Sequence, residues 1–132
     1  MSISRELMAQ VRAHLQREYP NEGCGILVGD GRTVHKVIAC MNCSDDLSVS
    51  YAISQDDIDR AQDDADADGM LVIGFYHSHP DLPAYWSGTD AENTWVDMLY
   101  LICSVTSSGV DHTSVYLNGT LVGGRLPSRQ TA

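Results

Sequence analysis

The stretch Leu71 to Pro80, reading L-V-I-G-F-Y-H-S-H-P, most narrowly constrains what this chain can become. Leu71, Val72, Ile73 and Phe75 read as a buried strand that delivers two histidines, His77 and His79, at its end. Residues two apart on a strand face the same way, so both imidazoles can turn toward one point. Pro80 removes a backbone donor and stops the strand, leaving the pair at the sheet's rim. A polar loop follows, and Ser87-Gly-Thr-Asp90 has the form of a helix start. Two same-face histidines and a nearby carboxylate make a three-ligand set for zinc, with a fourth position open to water. An open position belongs to catalysis rather than to a structural ion, so the stretch predicts a zinc hydrolase.

At 132 residues the chain is long enough for one domain with its own core. It contains no apolar run of about 18 residues that would span a membrane. The N-terminus is polar and helical in pattern, unlike a signal peptide, so a cytoplasmic location is expected. Cys24, Cys40, Cys43 and Cys103 read as buried or half-buried thiols; Cys40-x-x-Cys43 lacks a second pair at zinc-knuckle spacing. A net charge of −10, with Lys36 the only lysine, offers no basic stripe for nucleic acid. Such an acidic surface suits a high-salt source or simple solubility.

Along the chain, Ile3, Leu7, Val11 and Leu15 recur at every fourth position and predict a helix over residues 3–19, ended by Pro20. His14 within it reads as a surface or packing residue. Asn21 to Gly29 is a glycine-rich entry into a strand. Asp30-Gly31 predicts a hairpin to a second strand, Thr33 to Met41. After a polar turn, Ser50 to Ile53 reads as extended. Ser54-Gln-Asp-Asp57 resembles a capping box before a helix from about Gln55 to Ala67, with Ile58, Ala61 and Ala65 as its apolar stripe. Its aspartates do not follow the calcium-loop spacing and read as a solvated face. A third helix is expected from about Gly88 to Asp97, and the apolar run Leu99 to Val105 predicts a buried strand. Thr113–Leu117, Asn118-Gly119 and Thr120–Val122 form the clearest hairpin, and residues 127–132 read as a flexible tail after a domain of residues 1–126. Interspersed helices, strands and hairpins predict a mixed α/β (α+β) domain with a curved mixed sheet flanked by helices.

Hydrolysis at zinc needs a group that takes a proton from water and passes it to the leaving amine. The chain has four glutamates: Glu6, Glu18, Glu22 and Glu92. Glu6 and Glu18 belong to the first helix, and Glu92 suits a helix start electrostatically. Glu22 sits in a glycine-flanked turn before a strand and is the best candidate on local grounds. Ser87 and Asp90 fit a capping box as well as a site; a helix start would fix both side chains rigidly.

Glu22, then His77-Ser-His79-Pro80, six residues, then Ser87-x-x-Asp90 resembles the motif of the JAMM (MPN-domain) metallopeptidases, with every fixed position matched. Glu22-Gly-Cys-Gly-Ile-Leu-Val-Gly29 is similar to that family's first-strand segment, and the likeness covers nearly the whole chain. The resemblance implies an MPN fold of cytidine-deaminase-like architecture and one zinc per chain held by His77, His79 and Asp90. It further implies Glu22 as general base and Ser87 as donor to the oxyanion. Ser78, pointing to the opposite face, is assigned no chemistry. The family often carries proline before the serine, where this chain has Trp86; Tyr85 and Trp86 either line the approach to the metal or pack on the third helix. The chain is similar to the compact, stand-alone prokaryotic kind, which implies cleavage of peptide or isopeptide bonds after the C-terminal Gly-Gly of a ubiquitin-like sulfur-carrier protein. A Gly-Gly tail can lie extended in a narrow groove because it has no side chains. The alternative within the fold is a binding or scaffold module with structural zinc, which would need neither Glu22 nor Ser87. A zinc nucleoside deaminase fits poorly, because its H-x-E and P-C-x-x-C signatures are absent.

Overall fold

In the computed structural model, which describes residues 1–87 and 94–123, the first helix, α1, runs Arg5–Glu18. Ser4 caps it, its Oγ accepting the Leu7 N–H at 3.2 Å, and Tyr19 ends it ahead of Pro20. Met8, Val11, His14 and Leu15 form its buried face, with Ile3 packed just before the first turn. His14 is therefore a packing residue and not a surface one. Its Nδ1 lies 2.7 Å from the Tyr76 hydroxyl, and burial pushes its pKa below the ordinary histidine value.

Strands β1 (Cys24–Asp30) and β2 (Thr33–Cys40) make the first hairpin. The turn is Gly31-Arg32, one residue later than the Asp30-Gly31 signal, because Asp30 still pairs with Thr33 and Gly31 takes the left-handed conformation at φ 61°. Residues 50–53 lie outside any strand. The second helix, α2, runs Gln55–Ala67 with Ser54 as its cap, Oγ accepting the Asp57 N–H at 3.1 Å. Ile58, Ala61 and Ala65 are buried, while Asp56, Asp59, Asp63, Asp64 and Asp66 face outward, as a solvated face should.

Strands β3 (Leu71–Pro80), β4 (Leu99–Thr106), β5 (Gly109–Leu117) and β6 (Thr120–Gly123) complete one six-stranded sheet in the order β2-β1-β3-β4-β5-β6. The β3–β4 pair is parallel and the others antiparallel, so the sheet is mixed. Asn118 and Gly119, both at positive φ, close the β5–β6 hairpin. One face packs on α1 through Met8, Val11, Leu15, Leu27, Tyr76 and Leu101. The other packs on α2 through Ile26, Ile58, Ala61, Ala65, Phe75 and Tyr100. Among the described residues no helix is long and apolar enough to cross a membrane.

The third helix expected over Gly88 to Asp97 is not helical where it is described: Thr94 and Trp95 are irregular and Val96-Asp97 form a turn. Backbone donors there are taken by tertiary partners instead. The Trp95 N–H donates to the Tyr100 hydroxyl at 2.7 Å. The Asp97 N–H donates to Asn118 Oδ1 at 2.9 Å, and Asn118 Nδ2 donates back to Asp97 Oδ1 at 3.0 Å. Residues 88–93, including Asp90, lie outside the described residues, as does the expected tail from Pro127.

The junction of β3 with β4 depends on Gly74, where a Cβ would fall on the backbone carbonyl of Leu99. Backbone cannot step aside as a flexible side chain can. Gly74→Ala is expected to cost about 3 kcal/mol or more, well beyond the fraction recovered from unfolded-state entropy. A urea titration against the unmodified protein measures it.

Candidate active site

β3 crosses the middle of the sheet, so the two histidines at its end are buried: His77 is 0% and His79 4% exposed. Both lie on the α2 face, two and four residues beyond Phe75. Their Nε2 atoms stand 3.3 Å apart. Two nitrogens each about 2.0–2.1 Å from one tetrahedral ion would be separated by about 3.3 Å, so this pair fits zinc without rearrangement. The tautomer of His79 is fixed by its neighbour. Pro83 offers only a carbonyl, so Nδ1, at 2.9 Å, carries the proton and Nε2 keeps its lone pair for a ligand. The ring of Tyr51 stacks on His77 with centroids 4.3 Å apart and planes 22° apart, which fixes its orientation.

Glu22 precedes the strand beside β3. Cys24 pairs with His77 in the antiparallel β1–β3 ladder, and the Ser78 N–H donates to the Gly23 carbonyl at 3.1 Å. The ladder thus runs toward Glu22 at the end of β3 that carries His79, without itself including Glu22. Glu22 is 6% exposed, unusually low for a glutamate.

The loop that carries Ser87 is pinned along its length. The Asp81 N–H donates to the Val105 carbonyl at 2.7 Å, and Ser104 Oγ donates to the Leu82 carbonyl at 2.6 Å. The Ala84 N–H donates to His112 Nε2 at 3.2 Å. The Tyr19 hydroxyl contacts both Asp81 carboxylate oxygens at 2.8 Å, tying the end of α1 to this loop, and that contact raises the tyrosine's pKa. Tyr85 meets the His79 ring edge-on at 5.5 Å and is 47% exposed, which puts it at the approach to the histidines. Trp86 turns away and packs on Tyr100 and Tyr116, with centroids 5.4 and 5.5 Å apart, so strands rather than a helix receive it. Ser87 follows, half-buried.

Four of the five motif positions are thus described: His77 and His79 come together at the end of β3, and Glu22 is buried just ahead of β1, the strand beside it; Asp90 lies outside the described residues. Sequence reasoning missed Tyr51 and Asn42, which sit in a polar stretch with no periodic signal. Tyr51 also walls a cleft of about 150 Å³ on the same sheet face, with Ile53, Phe75, Trp95 and Tyr100. The thiols stay apart from this chemistry. Burial pushes Cys24, Cys40 and Cys103 each up to about 12, and Cys43 is exposed.

A family model described as prokaryotic homologues of the JAB domain matches residues 4–117, a span that holds all five motif positions. The chain belongs to this family. A desampylase from Haloferax volcanii is 32% identical over 101 residues, covering 74% of this chain and 73% of its own. A probable TtuB-protein conjugate cleaving protease from Thermus thermophilus is 32% identical over 100 residues, covering 76% of this chain and 67% of its own. Among solved structures, a Salinibacter ruber protein aligns with a TM-score of 0.67 at 32% identity, covering 89% of this chain and 81% of that one. A JAB1/MPN domain protein from Archaeoglobus fulgidus aligns with a TM-score of 0.59 over 96% of this chain and 95% of its own; at 18% identity it speaks for the fold alone. The JAB membership and the mixed sheet between two helices agree with the fold and family expected from the motif.

Proposed function

We propose that this JAB-family protein is a zinc-dependent hydrolase that cuts the peptide or isopeptide bond after the C-terminal Gly-Gly of a ubiquitin-like sulfur-carrier protein. The observation that carries the reading is the 3.3 Å approach of the buried His77 and His79 Nε2 atoms at the end of β3. Two relatives bear the names desampylase and probable TtuB-protein conjugate cleaving protease, which supports conjugates of this kind as the substrate class.

His77, His79 and Asp90 would hold the ion. Bound zinc would supply Lewis acidity, bringing a water's pKa toward neutrality and polarising the scissile carbonyl. Glu22 takes one proton from the attacking water as its oxygen adds to the glycine carbonyl carbon. The Ser87 hydroxyl donates to the carbonyl oxygen as negative charge gathers there. When the C–N bond breaks, Glu22 returns its proton to the departing nitrogen, leaving a free amine and a glycine carboxyl that gives its remaining proton to solvent to become the carboxylate. Tyr85 at the mouth and the aromatic cleft beside Tyr51 flank the path of an extended tail.

The test is the mass of a sulfur carrier extended by a short peptide after Gly-Gly, followed with and without a zinc chelator. A chelator-sensitive cut after the second glycine is expected. A panel of such carriers that bind yet stay intact in the zinc-loaded protein would replace hydrolysis with the binding-module alternative.

A further inference from the structure

Glu22 stands two residues before Cys24, where β1 and its ladder with β3 begin, so the regular ladder does not aim it. Something else must, because a general base works only within hydrogen-bond reach of the proton it removes. All four backbone polar groups of Glu22-Gly23 have partners. The Glu22 N–H donates to the Leu47 carbonyl at 2.7 Å. The Glu22 carbonyl accepts from Asn42 Nδ2 at 2.9 Å. The Gly23 N–H donates to Ser78 Oγ at 2.8 Å, and the Gly23 carbonyl accepts from the Ser78 N–H at 3.1 Å. Two of these bonds use side chains, those of Ser78 and Asn42.

We propose that Ser78 and Asn42 are positioning residues that set Glu22 against the histidine pair, an inference that rests on the reading of Glu22 as the base. Ser78 lies between the two ligand histidines in sequence, is 0% exposed, and faces α1, away from the reacting atoms. It therefore transmits the position of the ligand strand to Glu22 through the backbone, locking base and ligands into one frame. Its Oγ also satisfies a buried N–H that would otherwise lose its partner. Asn42 acts from the other side. Its Nδ2 also donates to the Ser50 carbonyl at 2.9 Å, while Oδ1 accepts the Ser44 and Ala52 N–H groups at 3.0 and 3.1 Å. Every polar position of the amide is used, two as donor and two as acceptor. Aspartate has the same shape but no donor, so Asn42→Asp turns both donating contacts into oxygen facing carbonyl oxygen.

The experiment is a set of steady-state measurements on Ser78→Ala, Asn42→Asp and Glu22→Ala, alone and combined, with zinc content and hydrogen exchange of the Gly23 amide. Ser78→Ala and Asn42→Asp are each expected to lower kcat about 10- to 100-fold, as a misplacement on the order of 1 Å does. KM should move less than about threefold and zinc content not at all, and the Gly23 amide should exchange faster in Ser78→Ala, with or without metal. In a Glu22→Ala background neither change should lower the residual rate further, because both act through the absent carboxylate. Equal losses in that background would overturn the inference, since they place the effect elsewhere. So would a wild-type kcat in both single variants when Glu22→Ala is inactive, with the base reading then intact. Full activity in Glu22→Ala would remove the base itself and the inference with it. Asn42 is half-exposed, so Asn42→Asp decides the matter if Ser78→Ala does not fold.

Discussion

Glu22→Ala is expected to lower the rate of carrier cleavage by about 10³-fold while one zinc per chain remains bound. Two features of the proposed site set that size. A single carboxylate both accepts the proton from water and returns it to the leaving nitrogen, so its removal touches both halves of the reaction. Zinc acidity and the Ser87 hydroxyl remain, and they keep a residual rate above that of water alone. Glu22 is also the one acid buried among the described residues, at 6% exposure, and alanine there keeps the backbone bonds to Leu47 and Asn42. The fold should therefore survive, and the loss should appear in kcat more than in KM. The measurement pairs turnover of an extended carrier with metal analysis of the same sample. A variant that kept wild-type turnover would mean that another group handles the proton.

His77→Ala should have the largest consequence for the metal. Structural zinc in small protein sites is bound with about 10–16 kcal/mol of apparent free energy. Removing one of three protein ligands should forfeit about a third of a figure of that size, on the order of 10³-fold in affinity or more. Dialysed His77→Ala should hold no zinc and show no cleavage, and excess zinc should restore little of either. The same change opens a cavity beneath Tyr51, whose ring stacks at 4.3 Å, so the metal-free variant should also melt lower than the metal-free parent. A variant that retained one zinc per chain after dialysis would locate the ion away from the β3 histidines.

Much of this was legible one residue at a time. Apolar spacing marked α1, and a cap with apolar spacing marked α2, because both are local signals: Ser54 bonds the N–H three residues on, and Ile58, Ala61 and Ala65 repeat on one helical face. The alternation that turns His77 and His79 to one side is equally local, since strand geometry imposes it at a spacing of two. Asn118-Gly119 announced its hairpin because few residue pairs accept two left-handed conformations in succession. The third helix failed where it is described for the opposite reason. The Asp97 N–H goes to Asn118, 21 positions on, too far for any local rule to weigh against a helical turn, and the Trp95 N–H goes to the side chain of Tyr100 in β4 instead of a helical carbonyl.

What the chain by itself determined is therefore its first two helices, most of its strands, their chemistry-bearing ends and the spacing that marks its family. Tertiary structure decided the rest: that β1 lies antiparallel beside β3 with Cys24 against His77, so that the segment just before β1 runs toward the histidine end of β3. It also brought Tyr51 onto His77, laid Trp86 on Tyr100 and Tyr116, and gave Ser78, silent in the sequence, the Gly23 N–H to hold. The physical reason is range. Propensity and periodicity act over one or two turns of chain, whereas the contacts that assemble this site join residues up to 62 positions apart. Only burial of both sheet faces, with every backbone donor and acceptor given a partner, selects among those pairings.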